Sequence, residues 1–204
     1  MTAKIDKIFL ERHNTKLSLA VSLLDDYSKG KPIGRVDVSL KGRKEKPIKN
    51  LSSYYLFLDL PDDTYTVQER SDYYFDEDLN PINLSELDRK NPLVNITLKP
   101  NPSYPFPSGA TLIRGVVYNS AGKTISGAKV RVEEKDVENK TTERGEFVLY
   151  FEPLTEDEII TEGGKRFVKG DDDKIIHLEV EYDGVTETVE LGAEEGKTIS
   201  VMCK

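Results

Sequence analysis

The residues able to do chemistry are few and far apart. The chain holds two histidines, His13 and His177, and one cysteine, Cys203. A hydrolytic triad needs a histidine held against a nucleophile and oriented by a third group, and no spacing here marks one. His13 sits in the polar run Glu11–Thr15. His177 alternates with Glu179 and Glu181, so on a strand the three side chains share a face. That face could offer a divalent cation one nitrogen and two carboxylates. The expected state is a solvated face with cross-strand partners of opposite charge. Cys203 alternates with Ile199 and Val201 and reads as a small buried apolar residue. A single cysteine excludes an internal disulfide. A glycine-rich phosphate loop, a Cys-x-x-Cys pair and a His-Glu-x-x-His motif are all absent from the sequence.

Carboxylates cluster more often than any other polar group. They form Asp25-Asp26, Asp62-Asp63, Asp76-Glu77-Asp78 and Asp171-Asp172-Asp173. Calcium takes carboxylate and carbonyl oxygens on loops. Asp171, Asp172 and Asp173, beside Gly170, come nearest to such a site but lack the alternating spacing that turns ligands to one side. Solvated turn acids are the expected reading, and neither a metal nor an organic cofactor is expected. The aromatic pairs point elsewhere. Tyr73, Tyr74 and Phe75, with Tyr104 and Phe106, combine apolar area with polar tips, the composition of interfaces and sugar sites. They are the candidate interaction residues. Core packing is the alternative, and Tyr104 and Phe106 could instead wedge two domains together.

Charge narrows the partners. With 29 basic and 37 acidic residues the net charge is −8, which repels a nucleic-acid backbone. No run approaches the roughly 18 apolar residues of a membrane span. The segment Met1–Lys7 lacks the apolar stretch of a signal peptide, so a cytoplasmic location is expected. On that expectation the Asn-x-Ser/Thr triplets starting at Asn50, Asn83, Asn95 and Asn139 are chance matches.

The elements that must position these residues are strands. Ala128, Val130 and Val132 alternate with Lys129, Arg131 and Glu133; Phe147, Leu149 and Phe151 form the next apolar row. Gly122, Gly127 and Gly145 stand where turns are needed. Ile176, Leu178, Val180 and Tyr182 run into Asp183-Gly184, a two-residue hairpin signal. Thr198–Cys203 closes the set. In the first half Leu17, Leu19, Val21 and Leu23 alternate, then Val36, Val38 and Leu40. Gly30–Val38 matches Gly122–Val130 with one residue inserted, which reads as a diverged duplication. Between the halves, Pro100, Pro102, Pro105 and Pro107 make an extended, semi-rigid run. The expectation is an all-β chain of two tandem small antiparallel β-sandwiches, immunoglobulin-like or prealbumin-like: residues 1–99, a linker 100–110, and residues 111–204. Two stretches fall outside this pattern. Ser85–Asp88 reads as a one-turn helix. Glu152–Lys174 reads as a long acidic loop, of the kind that is usually functional or mobile.

Leu112-Ile-Arg-Gly115-Val-Val-Tyr, with Gly122-Lys-Thr-Ile-Ser-Gly127-Ala128-Lys-Val130 and Gly145-Glu-Phe147, resembles the carboxypeptidase regulatory-like family. The resemblance runs from Thr111 to Phe151 and implies a transthyretin-like sandwich. Such domains are accessory modules for folding, spacing or adhesion. Leu60–Val67 resembles the family's Leu-Pro-x-Gly-x-Tyr-x-Val turn, with Asp63 where glycine is usual. The same string resembles intradiol ring-cleaving dioxygenases, which hold ferric iron with two tyrosines and two histidines. Here the two histidines fall in different halves and tryptophan is missing. Transthyretin-like hydrolases have a histidine-rich site that is lacking too. The resemblance bears on fold and hardly on activity. The expectation is therefore a non-catalytic structural or interaction module, a subunit of a larger assembly, with a protein partner or a second copy. It excludes nucleic acid and membrane insertion and leaves carbohydrate open. The rivals are a carbohydrate- or calcium-dependent adhesion module and an undetected hydrolase or metal enzyme.

Overall fold

A computed structural model of the chain describes residues 14–78, 81–171 and 173–203. It is all-β. Backbone contacts divide it into two units. The first takes in Met1–Leu23, Asp37–Glu69 and Glu77–Ile96; the second takes in Leu24–Val36, Arg70–Asp76 and Thr97–Lys204.

The strands lying wholly or mainly in the first unit are β1 (Leu17–Asp25), β2 (Val36–Leu40), β3 (Ile48–Lys49), β4 (Tyr55–Leu58), β5 (Thr64–Tyr65), β6 (Val67–Ser71), β7 (Glu77–Asp78), β8 (Ile82–Asn83) and β9 (Leu93–Leu98); the end residues Leu24–Asp25, Val36, Arg70–Ser71 and Thr97–Leu98 count with the second. They form sheets in the orders β3-β4-β1-β9, β2-β6-β7 and β5-β8. Period-two alternation puts Val38 and Leu40 of β2 and Phe57 of β4 inside, with Leu19, Val21, Tyr65, Val67 and Ile96. A single 3-10 turn covers Leu84–Glu86. Its cap is Asn83, whose Oδ1 accepts the Ser85 N–H at 3.1 Å, so the turn begins before the Ser85–Asp88 signature.

The second unit contains β10 (Leu112–Val117), β11 (Lys129–Val132), β12 (Val137–Lys140), β13 (Glu146–Tyr150), β14 (Ile159–Glu162), β15 (Lys165–Val168), β16 (Ile176–Tyr182), β17 (Val185–Leu191) and β18 (Thr198–Cys203). Sheet β13-β10-β18 faces sheet β12-β11-β16-β17. Between them lie Ile113 and Val117, Val130 and Val132, Phe147 and Leu149, and Ile176 and Leu178. This is the alternation expected from the sequence, and it makes a sandwich. Asp183 and Gly184 both have positive φ, 51° and 76°, as a two-residue hairpin with the twist of its strands requires.

Three features differ from the expectation or refine it. First, β18 runs parallel to β10, Leu112 pairing with Thr198 and Val117 with Cys203. β18 follows β17 by crossing from the other sheet, so no hairpin forces it antiparallel. Gly115 lets it close: a Cβ there would lie 2.5 Å from the Val201 carbonyl oxygen. Second, the described residues of Glu152–Lys174 carry regular structure. The 3-10 turn Glu156–Glu158 leads into the hairpin β14–β15, turned by Gly163 and Gly164. Val168 is fully buried in the core and its N–H reaches the Ala193 carbonyl at 2.8 Å. Third, β13 is buried on both faces. Phe147 and Leu149 point into the sandwich, while Val148 packs with Ala110 and Leu112 under Tyr27, Phe106 and Tyr150. The proline run lies within this second unit, where Arg114 Nη1 donates to the Pro102 carbonyl at 2.8 Å.

Candidate functional site

On the outer face of sheet β13-β10-β18 three separate stretches of the second unit meet around one carboxylate. Asp25 ends the apolar strand β1 and is fully buried. Its Oδ2 accepts the Tyr74 hydroxyl at 2.8 Å and the Tyr104 hydroxyl at 2.6 Å. Its Oδ1 accepts the backbone N–H of Tyr27 at 2.8 Å and of Ser28 at 3.1 Å. The Tyr74 oxygen also accepts the Ile33 N–H at 3.0 Å. A buried charge is tolerated only when its lone pairs are filled, and here four donors fill them. Burial, reinforced by the adjacent carboxylate, holds the Tyr74 and Tyr104 hydroxyls far above the ordinary tyrosine pKa. Both stay protonated donors. The rings pack closely: Tyr104 meets Tyr74 edge to face at 5.7 Å, Tyr27 meets Phe106 edge to face at 5.0 Å, and Tyr104 lies tilted against Phe106 at 4.6 Å.

The aromatic candidates therefore have different fates. Tyr74, Phe75 and Tyr104 are buried and present no surface to a partner. Phe75 sits under the Lys140 ammonium at 5.4 Å. Tyr73 and Phe106 remain partly exposed; the Tyr73 ring covers Gly34, where a Cβ would meet it at 2.7 Å. Sequence reasoning treated Asp25 only as one of the acidic clusters and missed that it organises the tyrosines. The available signal was a carboxylate directly ending an apolar strand, in a chain rich in unassigned tyrosines.

Next to this cluster, Asp26 accepts the Tyr150 hydroxyl at 2.7 Å and the Lys29 ammonium at 3.0 Å. These residues border a cleft of about 660 Å³, also lined by Lys99, Lys135 and Leu154. Lys29 lies 2.8 Å from Glu152, Lys135 lies 3.8 Å from Glu158, and Lys99 lies 3.9 Å from Glu138. The hydrogen bond to Glu152 raises the Lys29 pKa despite some burial. Burial pushes Asp26 up, but the hydrogen bonds from Tyr150 and Lys29 outweigh it and leave the carboxyl below its usual range. Lys129 lowers Glu138, and the Thr155 N–H lowers Glu158. Each shift drives the group away from neutrality. A general acid or base works best with its pKa near the working pH.

The remaining candidates are placed as follows. His177 Nδ1 and the His177 backbone N–H both contact Glu134, whose side chain is 4% exposed; Nε2 lies 3.9 Å from Glu190. With carboxylates facing both ring nitrogens, the hydrogen bond to Glu134 chief among them, the imidazole pKa is raised. Glu179 pairs with Arg131 on the neighbouring strand, the cross-strand partner expected for that face. Cys203 is buried and its thiol is pushed up by that burial. Asp171 and Asp173 are exposed, and Asp173 Oδ1 accepts the Ile175 N–H at 2.6 Å. Asp172 and His13 lie outside the described residues. Among the described residues no three His, Cys, Asp or Glu side chains are grouped to hold a metal ion, and no helix is long and apolar enough to cross a membrane.

No family model matches the chain, and no curated protein matches it. Among solved structures it is similar to the Bacillus anthracis TIE protein, at 14% identity and a TM-score of 0.32, covering 92% of this chain and 33% of that one. It is also similar to a streptococcal ancillary pilin, at 12% identity and a TM-score of 0.27, covering 92% of this chain and 61% of that one. The chain thus spans a third and about three fifths of those two proteins. Neither likeness carries an argument about its role.

Proposed function

We propose that this chain is a non-catalytic structural or interaction module that works through protein–protein contact. The observation that carries the reading is the state of the groups around the cleft. Lys29 pairs with Glu152, Lys135 with Glu158 and Lys129 with Glu138, and Asp26 accepts from Tyr150 and Lys29. Fixed charges of both signs suit recognition of a complementary charged surface and not proton transfer at neutral pH. The resemblance of residues 111–151 to the carboxypeptidase regulatory-like family supports the same reading.

The full chain, immobilised, is to be challenged with extract of its source cells at low and high ionic strength. The expected result is a captured protein, this chain or another, lost progressively as salt rises. Lys29→Glu and Lys135→Glu should weaken capture without unfolding the chain. Binding to an immobilised glycan, or capture that needs calcium, would replace this reading by the adhesion alternative. Capture of nothing at any salt would refute it.

A further inference from the structure

We propose that two copies of this chain pair edge to edge through strand β18, extending sheet β13-β10-β18 across a two-fold axis. The inference rests on the interaction-module reading above and names a second copy as a partner, at an edge separate from the charged cleft and untouched by Lys29→Glu or Lys135→Glu.

The first argument is the treatment of the four edges of the two facing sheets in the second unit. An exposed edge offers unpaired N–H and C=O groups to another chain, and proteins guard such edges with charge, cover or irregularity. The edge of β13 is covered: Asn139 Nδ2 donates to the Val148 carbonyl at 3.1 Å. The edge strand β12 carries Glu138, bridged to Lys129 at 2.7 Å. The edge strand β17 has Glu187 in phase with Val189 and Leu191, which pack against the core. Glu187 is itself exposed and puts a charge along that edge, which disfavours a further strand. Among the described residues β18 has none of these devices. Thr198-Ile-Ser-Val-Met-Cys203 contains no charge and no proline, and its register with β10 is uninterrupted. The Leu112 N–H bonds the Lys197 carbonyl and the Tyr118 N–H bonds the Cys203 carbonyl. Odd-numbered residues of β18 thus face β10, and the N–H and C=O groups of Thr198, Ser200 and Met202 face the open side.

The second argument is that β18 is complementary to itself. Antiparallel pairing of two copies centred on Ser200 sets Thr198 against Met202 and Ile199 against Val201. Lys197 then falls opposite Cys203, so no like charges meet. The partly exposed Ile199 and Val201 and the exposed Met202, at 64%, all gain cover. Glu187 lies close enough to Cys203 to act on its thiol, so Lys197 of the second copy arrives beside a carboxylate, twice by symmetry. An isolated partner strand from another protein would not supply that paired match. A single strand pair buries less than a standard interface of about 1,600 Å², so the dimer is a weak and reversible one.

Sedimentation velocity on the full chain from micromolar to millimolar concentration should show a monomer–dimer equilibrium. Ser200→Pro removes an N–H that β10 does not use and should weaken the dimer about tenfold, two symmetry-related hydrogen bonds being lost, with the urea midpoint of the monomer unchanged. As a positive test, Ser200→Cys in a Cys203→Ser background places two thiols on residues about 5.5 Å apart at Cα, within disulfide reach. Mild oxidation should give a covalent dimer, while Thr188→Cys on β17 should not. A chain that stays monomeric to millimolar concentration, or a dimer insensitive to Ser200→Pro and not trapped by Ser200→Cys, overturns the proposal. Capture of a different protein that Ser200→Pro abolishes would overturn self-pairing and leave the interaction reading intact; failure to capture anything defeats that reading separately.

Discussion

Removing the Asp25 carboxylate tests whether the tyrosine cluster is scaffold. In Asp25→Ala the hydroxyls of Tyr74 and Tyr104 lose their acceptor while both rings stay buried. A buried donor left without a partner costs about 1–3 kcal/mol, so the two together cost about 2–6. The N–H groups of Tyr27 and Ser28 are only part-buried and water can reach them, so they add little. The expected loss is about 4 kcal/mol. Asp25→Asn keeps an acceptor for the two backbone donors but turns an NH₂ toward two hydroxyls, and about half that loss is expected. Tyr104→Phe should cost roughly 1.5–3 kcal/mol, the value of one charge-assisted bond. The double variant Tyr74→Phe/Tyr104→Phe should cost more than the sum of the singles, because only then is Oδ2 left bare inside the protein. The chain has no tryptophan and ten tyrosines, so intrinsic fluorescence during urea unfolding comes from tyrosine, with Tyr27, Tyr74, Tyr104 and Tyr150 of this cluster contributing to it. A loss below about 1 kcal/mol for Asp25→Ala at an unchanged m value would refute the reasoning and return Asp25 to the surface.

Phe147 is 1% exposed, and Phe147→Ala should cost about 3–5 kcal/mol in the same assay. The His177–Glu134 pair makes stability depend on pH in two directions. His177 has a raised pKa, so its contribution is complete below about 6.5 and is lost as pH rises through the folded value; Glu134 has a lowered pKa, so its contribution is present above about 4.5 and is lost as pH falls. Melting temperature followed from pH 4 to 9 should therefore fall on the alkaline side of this window more steeply in the parent than in His177→Gln. Ser108–Lys204 expressed alone keeps both sheets of the second sandwich but loses Asp25, Tyr27, Tyr74, Tyr104 and Phe106; it should bind a hydrophobic dye and show a broadened unfolding transition, whereas a sharp, dye-free fold would mean that the outer face of β13 needs no cover.

Strand identity and phase were legible because burial in a sandwich imposes period two on Val130/Val132, Phe147/Leu149 and Ile176/Leu178. The hairpin at Asp183-Gly184 was legible because few residue pairs accept two positive φ angles. The hairpin β14–β15 was also written in the sequence. Ile159-Ile160, Gly163-Gly164 and Phe167-Val168 carry strand-turn-strand chemistry, but acidic neighbours drew attention to charge instead of pattern. The parallel β10–β18 pair left no local mark, since parallel pairing is decided by how a chain crosses between sheets. The Asp25 cluster was hidden for a related reason. Its members lie 49 and 79 residues apart along the chain, and no window that reads periodicity can join them. What the sequence did show was a surplus of tyrosine, which is equally the mark of an interface and of a core with polar tips.

The placement of that cluster bears directly on where partners can bind. A sandwich of two sheets normally leaves both outer faces to solvent, and either could become an interaction surface. Here Tyr27, Phe106 and Tyr150 close the outer face over Leu112 and Val148, and the pairing of Arg131 with Glu179 and of Lys129 with Glu138 ties up charge on the opposite outer face. Segments that contribute these covering residues have no internal strand ladder across Tyr27–Gly30 or Asn101–Ala110. Their ordering entropy must be offset by contacts at their ends. Asp25 supplies such contacts to both of them and, through Tyr74, to a third stretch, which explains why a carboxyl is buried where an apolar residue would pack more cheaply. With one face covered and the other laced by ion pairs, open hydrogen-bonding capacity lies at the sheet edges, and among the described residues of the two facing sheets β18 carries none of the guards found on β12, β13 and β17. The same carboxylate that makes the tyrosines unavailable to a partner therefore directs the search for one to the opposite end of sheet β13-β10-β18.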